Sequence, residues 1–160
     1  MQISRAGDYA LRAVIYLSRQ APARLCTIGE IARAQQIPPA FLAKLMPMLI
    51  RGGVVLSAQG PKGGYRLARR PGEINFWEVI QAIEGPIALV TCQEDGSCCE
   101  HEPFCTMNEV FAEAQKRLVA FFRSTTFADL PVKEGCSVTD EGLRRGMAEL
   151  AILPARREKG

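Results

Sequence analysis

Residues 27–53 read TIGEIARAQQIPPAFLAKLMPMLIRGG, two short amphipathic segments with very little chain between them. Thr27 followed by Glu30 three residues later is a capping box that starts a helix. Ile28, Ile31 and Ala32 supply its apolar stripe. Gln36-Ile37 makes the turn. Pro38-Pro39 sets the start of the next helix, because proline suits a first turn and has no N–H to give a helix interior. Leu42, Leu45 and Leu49 then share one face, and Gly52-Gly53 ends the segment. Two short helices joined this tightly, the second carrying Lys44 and Arg51 on its outer side, have the layout of a helix-turn-helix.

The flanking sequence extends that unit. Upstream, residues 4–19 form a helix with Ala6, Ala10, Ala13, Val14 and Leu17 on one side. Downstream, VVLSAQGPKGGYRLARRP is β-rich at both ends around the turn-forming GPKGG, which predicts a hairpin wing. Lys62 stands at its tip, with Arg66, Arg69 and Arg70 on its return. Glycines there allow close approach to a phosphate or groove wall, and cations neutralise it. Pro47 interrupts the second helix of the pair, which predicts a kink or a local 3-10 segment.

Charge divides the chain. Residues 1–75 hold eleven Arg and Lys against three acids, a balance of +8, whereas residues 76–160 hold nine against fourteen, a balance of −5. A basic half is suited to a polyanion and an acidic half stays off it. No apolar run approaches the ~18 residues of a spanning helix, and the N-terminus, with Arg5, Asp8, Arg12 and Arg19 at helical intervals and no uninterrupted apolar core, does not read as a signal peptide. The expectation is a cytoplasmic protein with no membrane partner, in which structural disulfides are rare.

The acidic half opens with a helix capped by Asn75, with Glu78 at the capping-box position and Gly85-Pro86 as the stop. TCQEDGSCCEHEPFC, residues 91–105, then gathers four of the six cysteines and the only histidine. Its acids, Glu94, Asp95, Glu100 and Glu102, disfavour a reactive thiolate unless a metal stabilises it. Thiolates suit zinc and iron–sulfur alike. The gaps of five or six residues are wider than zinc knuckles, which leaves zinc through Cys92, Cys99, His101 and Cys105 as runner-up. Beyond it, Met107, Phe111, Ala114, Leu118 and Phe121 step by 4, 3, 4, 3, a 3.5-residue seam that predicts helix pairing. A short helix between Asp140 and Leu150 and a basic tail complete the chain. Cys26 and Cys136 are expected to be packing residues.

The segments ISRAGDYALRAVIYL, IGEIARAQQIPPAFLAKLMPML, GPKGGYRLAR and EVIQAIEG, in that order, resemble the winged-helix regulators that include IscR, NsrR and RirA, the Rrf-two family. The resemblance runs from Met1 to about Leu130. It implies a mainly α fold with a β-hairpin wing and a long dimerisation helix, and a transcription regulator, a repressor rather than an enzyme, acting as a homodimer on double-stranded operator DNA. In cluster-binding members three cysteines before the dimer helix hold an iron–sulfur cluster. By that resemblance the ligands are Cys92, Cys99 and Cys105, with Cys98 as the alternative to Cys99 and a 4Fe–4S cluster favoured over 2Fe–2S. One branch uses a histidine three residues after the last cysteine, where this chain has Asn108. In another, an N-terminal aspartate reaches over from the other subunit, and Asp8 matches it. A structural zinc site and a cluster-free thiol-responsive regulator are the alternatives.

The resulting organisation is a DNA-binding region at 1–75, a cysteine sensor loop and dimerisation helix at 76–130, and a C-terminal helix and tail at 131–160. The expected DNA contacts are Thr27, Pro39, Ala40, Ala43, Lys44 and Arg51 from the helix pair, and Lys62, Gly63, Gly64, Tyr65 and Arg66 from the wing.

Overall fold

The computed structural model describes residues 2–90 and 105–131, all but the last within one compact unit, Met1–Leu130. Cys92, Cys98, Cys99, His101, Cys136, the helix expected near Asp140 to Leu150 and the basic tail lie outside the described residues.

Helix α1, Arg5–Ser18, starts where the Ser4 hydroxyl accepts hydrogen bonds from the N–H groups of Ala6 and Gly7. It buries Ala10, Ala13, Val14 and Leu17, and the two alanines near its centre let neighbouring helices come close. Helix α2, Ile28–Gln35, carries the expected capping box. The Thr27 hydroxyl accepts from the Glu30 N–H at 3.2 Å, and the Glu30 carboxylate accepts from the Thr27 N–H at 2.8 Å. Gln36 then turns left-handed at φ 51°, the one non-glycine residue with positive φ among the described residues. Buried Ile37 closes the turn by donating its N–H to the Ala32 carbonyl at 2.9 Å.

Helix α3, Pro39–Arg51, runs α-helical throughout with Pro47 inside it, so the 3-10 alternative does not occur. Leu42, Leu45, Met46 and Leu49 face the core, while Ala43 and Pro47 are both exposed. Proline takes a hydrogen bond away from the carbonyl four residues earlier. Here that carbonyl belongs to exposed Ala43, where water can replace the missing donor.

Strands β1, Val55–Ala58, and β2, Gly64–Leu67, pair antiparallel with Val55 opposite Leu67 and Ala58 opposite Gly64. The hairpin is stitched to the body at Cys26. Its N–H donates to the Tyr65 carbonyl at 2.9 Å, and the Tyr65 N–H donates to the Cys26 carbonyl at 2.8 Å. A 3-10 turn at Pro71–Glu73 leads into helix α4, Phe76–Glu84. Asn75 caps α4 as expected, but the Glu78 carboxylate turns to the Asn75 side-chain amide and to Arg69. Reciprocal capping therefore gives way to an ion pair that ties α4 to the wing's return.

Helix α5, Thr106–Ser124, packs on α4 and has no buried residue. Its end is fixed by Phe76 stacked on Phe127 at 4.7 Å and by the Phe76 N–H donating to the Thr125 carbonyl. The expected seam divides into two stripes. Phe111 and Leu118 are half-buried, whereas Met107, Ala114 and Phe121 are exposed together with Val110. The half-buried stripe also contains Gln115 and Phe122, one residue on from Ala114 and Phe121, so packing within the chain uses a face adjacent to the apolar one left uncovered.

Candidate DNA interface and sensor site

The outward stripe of α3 is Ala40, Lys44, Pro47 and Arg51, spaced 4, 3 and 4 and all exposed. With Ala43 beside it, this face offers two cations flanking a nearly flat apolar strip. Such a surface can slide along a groove floor and meet thymine methyl groups. Pro39 occupies the first turn, and Pro38 before it makes no side-chain cap. Phe41, 36% exposed, rests edge-to-face on Tyr9 at 5.4 Å, which sets the roll of α3 against α1.

In the wing, Lys62 is exposed near the tip, and Arg66 on β2 is half-buried with its guanidinium donating to the Leu67 carbonyl at 3.4 Å. Four expected contacts have structural work as well. Thr27 spends its hydroxyl on capping α2. Tyr65 packs against the core and bonds to Cys26 through its backbone. A Cβ at Gly64 would stand 2.7 Å from the Cys26 carbonyl oxygen, and one at Gly63 would collide with the Ala58 carbonyl. Gly64 thus lets the wing close on the body, and Gly63 lets the hairpin turn close on its own first strand. Cys26 is wholly buried, and burial pushes its thiol pKa up, which suits an inert packing residue.

At the other end, the first turn of α1 is docked onto the last residue of α4. The Ser4 N–H and hydroxyl both donate to the Glu84 carboxylate, at 3.1 and 2.6 Å, and Gly7 leaves room for that carboxylate where any side chain would collide with it. Ser4 and Glu84 are eighty residues apart, so no local pattern singles out the pair. Asp8 follows directly. It is exposed and pairs with Arg12 at 3.5 Å, and Arg12 in turn donates to the Gln35 carbonyl at the end of α2. Asp8 is therefore one ion pair and one hydrogen bond away from the helix-turn-helix turn.

Of the expected cysteine ligands, Cys105 alone lies within the described residues. It is half-buried, unbridged and at the N-cap of α5. A helix N-terminus favours negative charge beside it, which fits a metal-bound thiolate. On the far side of the cysteine segment, the Leu89 N–H donates to the Gln115 side chain of α5 at 3.3 Å, so both stems of the segment meet the same helix. No described helix is long and apolar enough to cross a membrane.

Comparison with known proteins agrees with this geometry. The family model described as Rrf2, iron-dependent transcriptional regulator, matches residues 3–133. The chain is 35% identical over 124 residues to an HTH-type transcriptional regulator of Aquifex aeolicus, covering 76% of this chain and 85% of that one. It is 31% identical over 135 residues to the HTH-type transcriptional regulator NsrR of Shouchella clausii, covering 84% and 91%. Among solved structures it is similar to CymR, the global cysteine regulator of B. subtilis, with a TM-score of 0.68 at 28% identity over 81% of this chain and 95% of the other. A basic helix-turn-helix with its wing, a family match across most of the chain and similarity to HTH-type transcriptional regulators lead to one assignment: the chain belongs to the Rrf2 family and is a winged-helix, DNA-binding transcriptional regulator rather than an enzyme.

Proposed function

We propose that the chain is a cytoplasmic homodimeric repressor whose grip on operator DNA depends on an iron–sulfur cluster held by Cys92, Cys99 (or Cys98) and Cys105, with Asp8 of the partner subunit as the candidate fourth ligand. The observation that carries this reading is that α5 combines two features. It begins at a candidate thiolate ligand, Cys105, and from Met107 onward it exposes an apolar stripe, with Met107, Val110 and Phe121 63%, 68% and 62% exposed. Apolar residues at helical spacing with no cover among the described residues are suited to a second copy of the same helix. A ligand at the start of that helix ties the site to the dimer geometry, and hence to the distance between two recognition helices.

Bound there, a cluster supplies iron whose loss or change of coordination can act as the signal. The chain's own residues carry the consequence. Asp8 is held by Arg12, and Arg12 holds the carbonyl of Gln35 next to the left-handed turn at Gln36. Drawing Asp8 toward another partner changes the hold of Arg12 on that turn. The two sites are then coupled by a free energy that works in both directions. The family description as iron-dependent supports iron over zinc.

The test is strictly anaerobic isolation from iron-replete cells, followed by iron, sulfide and zinc analysis and an absorption spectrum. Iron and sulfide in matched amounts, with a visible chromophore lost in Cys105→Ala, support the reading, and tightly bound zinc without sulfide gives the site to zinc. A second reading, a cluster-free regulator responding through its thiols, is favoured by the similarity to a cysteine regulator. Metal-free protein that binds DNA in a thiol-dependent way would establish it.

A further inference from the structure

A cleft of about 450 Å³ opens between the end of α1 with its following loop and the exit of strand β2. Leu17, Pro22, Leu67 and Pro71 give it apolar walls, and four arginines, Arg24, Arg66, Arg69 and Arg70, line it against a single carboxylate, Glu73. That carboxylate already accepts a hydrogen bond from the Arg70 backbone N–H at 3.0 Å. Two of the arginines are fixed. Arg24 donates to Gln20 and, at 2.9 Å, to Glu30, and Arg69 donates to the Glu73 carbonyl at 2.8 Å and to Glu78. The other two are uncommitted to any carboxylate among the described residues, since Arg66 reaches only the Leu67 carbonyl at 3.4 Å and Arg70 has no ion pair.

We propose that this cleft is a binding site for a small organic anion, a compact apolar or aromatic body carrying a carboxylate or phosphate. The anionic head lies between Arg66 and Arg70, where guanidinium groups match planar or tetrahedral oxyanions. The body lies against Leu17, Pro22 and Leu67. The volume is within the range of small-molecule sites, and apolar walls with a few convergent polar groups are their usual lining. An extended backbone phosphate would need the cations but not the apolar walls.

The cleft also joins two parts of the DNA-binding unit. Arg24 on one wall holds Glu30, which caps α2, and β2 on the other wall carries the Tyr65 attachment to Cys26. An occupant that spans both walls fixes the wing relative to the helix pair, so anion and operator binding must influence each other equally.

The experiment is calorimetric titration of the full chain with phenyl phosphate and, separately, with inorganic phosphate, at constant ionic strength. The titration itself needs neither DNA nor metal, so its outcome is independent of the cluster reading. One saturable site per chain is expected for phenyl phosphate, about tenfold tighter than for inorganic phosphate because the ring is buried. Arg70→Ala, at an exposed position, should weaken it by about tenfold. Ala21→Trp, at an exposed position lining the cleft, fills the space without changing charge and should abolish phenyl phosphate binding with operator affinity kept. Absence of saturable binding, or full binding by Ala21→Trp, overturns the proposal. So does a result in which phenyl phosphate fails to bind while Arg70→Ala flattens the salt dependence of operator binding, since Arg70 would then serve a DNA phosphate.

Discussion

Replacing Gly64 by alanine should loosen the wing from the body, and the cost can be worked from distances. The added Cβ would lie 2.7 Å from the Cys26 carbonyl oxygen, 2.9 Å from its carbon and 3.2 Å from its nitrogen. These are backbone atoms of a wholly buried residue directly before the α2 cap, so they cannot swing aside as a flexible side chain would. If the strand stays in place, the collision costs about 1–3 kcal/mol, as overpacking generally does. If the strand moves off, the two hydrogen bonds between Cys26 and Tyr65, at 2.9 and 2.8 Å, are lost at about 1 kcal/mol each. Either route gives about 2 kcal/mol, or a fall of roughly 4–8 °C in Tm for a chain of this size. Gly53→Ala is the comparison. Its φ of +68° disfavours a side chain, but nothing lies within 4 Å, so the cost should be limited to about 1 kcal/mol. Thermal unfolding followed by circular dichroism measures both. A Gly64→Ala chain no less stable than Gly53→Ala would refute the idea that the wing is held at Cys26.

Arg66→Ala and Lys62→Ala should each reduce the log–log salt slope of DNA binding by about 0.9 per phosphate contact removed, in anisotropy titrations across a salt series; an unchanged slope in both would take the wing out of the interface. Hydrogen bonds from the Thr27 backbone and hydroxyl, with Arg24 adding attraction, hold the Glu30 carboxyl below its ordinary range. Its contribution is therefore complete above the unfolded-state value and drains away as pH falls through the folded one. The stability gap between the native chain and Glu30→Gln should accordingly shrink in acid, and a gap that widened there would contradict the capping box. Val110→Glu with Phe121→Glu places charge on the uncovered stripe of α5 at positions 68% and 62% exposed, so each chain should keep its helicity. Losing about 1.5–3 kcal/mol per apolar side chain should weaken a homodimer by at least roughly 100-fold in sedimentation analysis, and an unaltered dimer would place the interface elsewhere.

The helix pair and wing were legible because their signals are local. Thr27 with Glu30, Asn75 and the glycines of GPKGG act over three or four residues, and the structure shows each doing what its chemistry dictates. Pro47 reads ambiguously in sequence because proline's penalty depends on where the orphaned carbonyl points, and only the fold shows Ala43 turned to solvent. The single seam read on α5 is two adjacent stripes for a related reason. A period of 3.5 does not say which neighbour a face meets, and α4 takes the stripe next to the apolar one. Glu84 holding Ser4, and Arg12 joining Asp8 to Gln35, are contacts between distant segments made by ordinary surface residue types. Nothing in their immediate neighbourhood sets them apart. The glycines at 63 and 64 suit close approach to DNA by their place in the wing, and backbone packing also requires them.

Control of operator binding by a cluster at the cysteine segment can be tested in one comparison. Operator affinity is measured anaerobically for the metal-loaded chain and for the same preparation after chelation, beside Cys105→Ala. Tight, sequence-selective binding is expected of the loaded form alone, with the chelated form and Cys105→Ala alike reduced to salt-sensitive, unselective binding. Equal operator affinity in all three would contradict it.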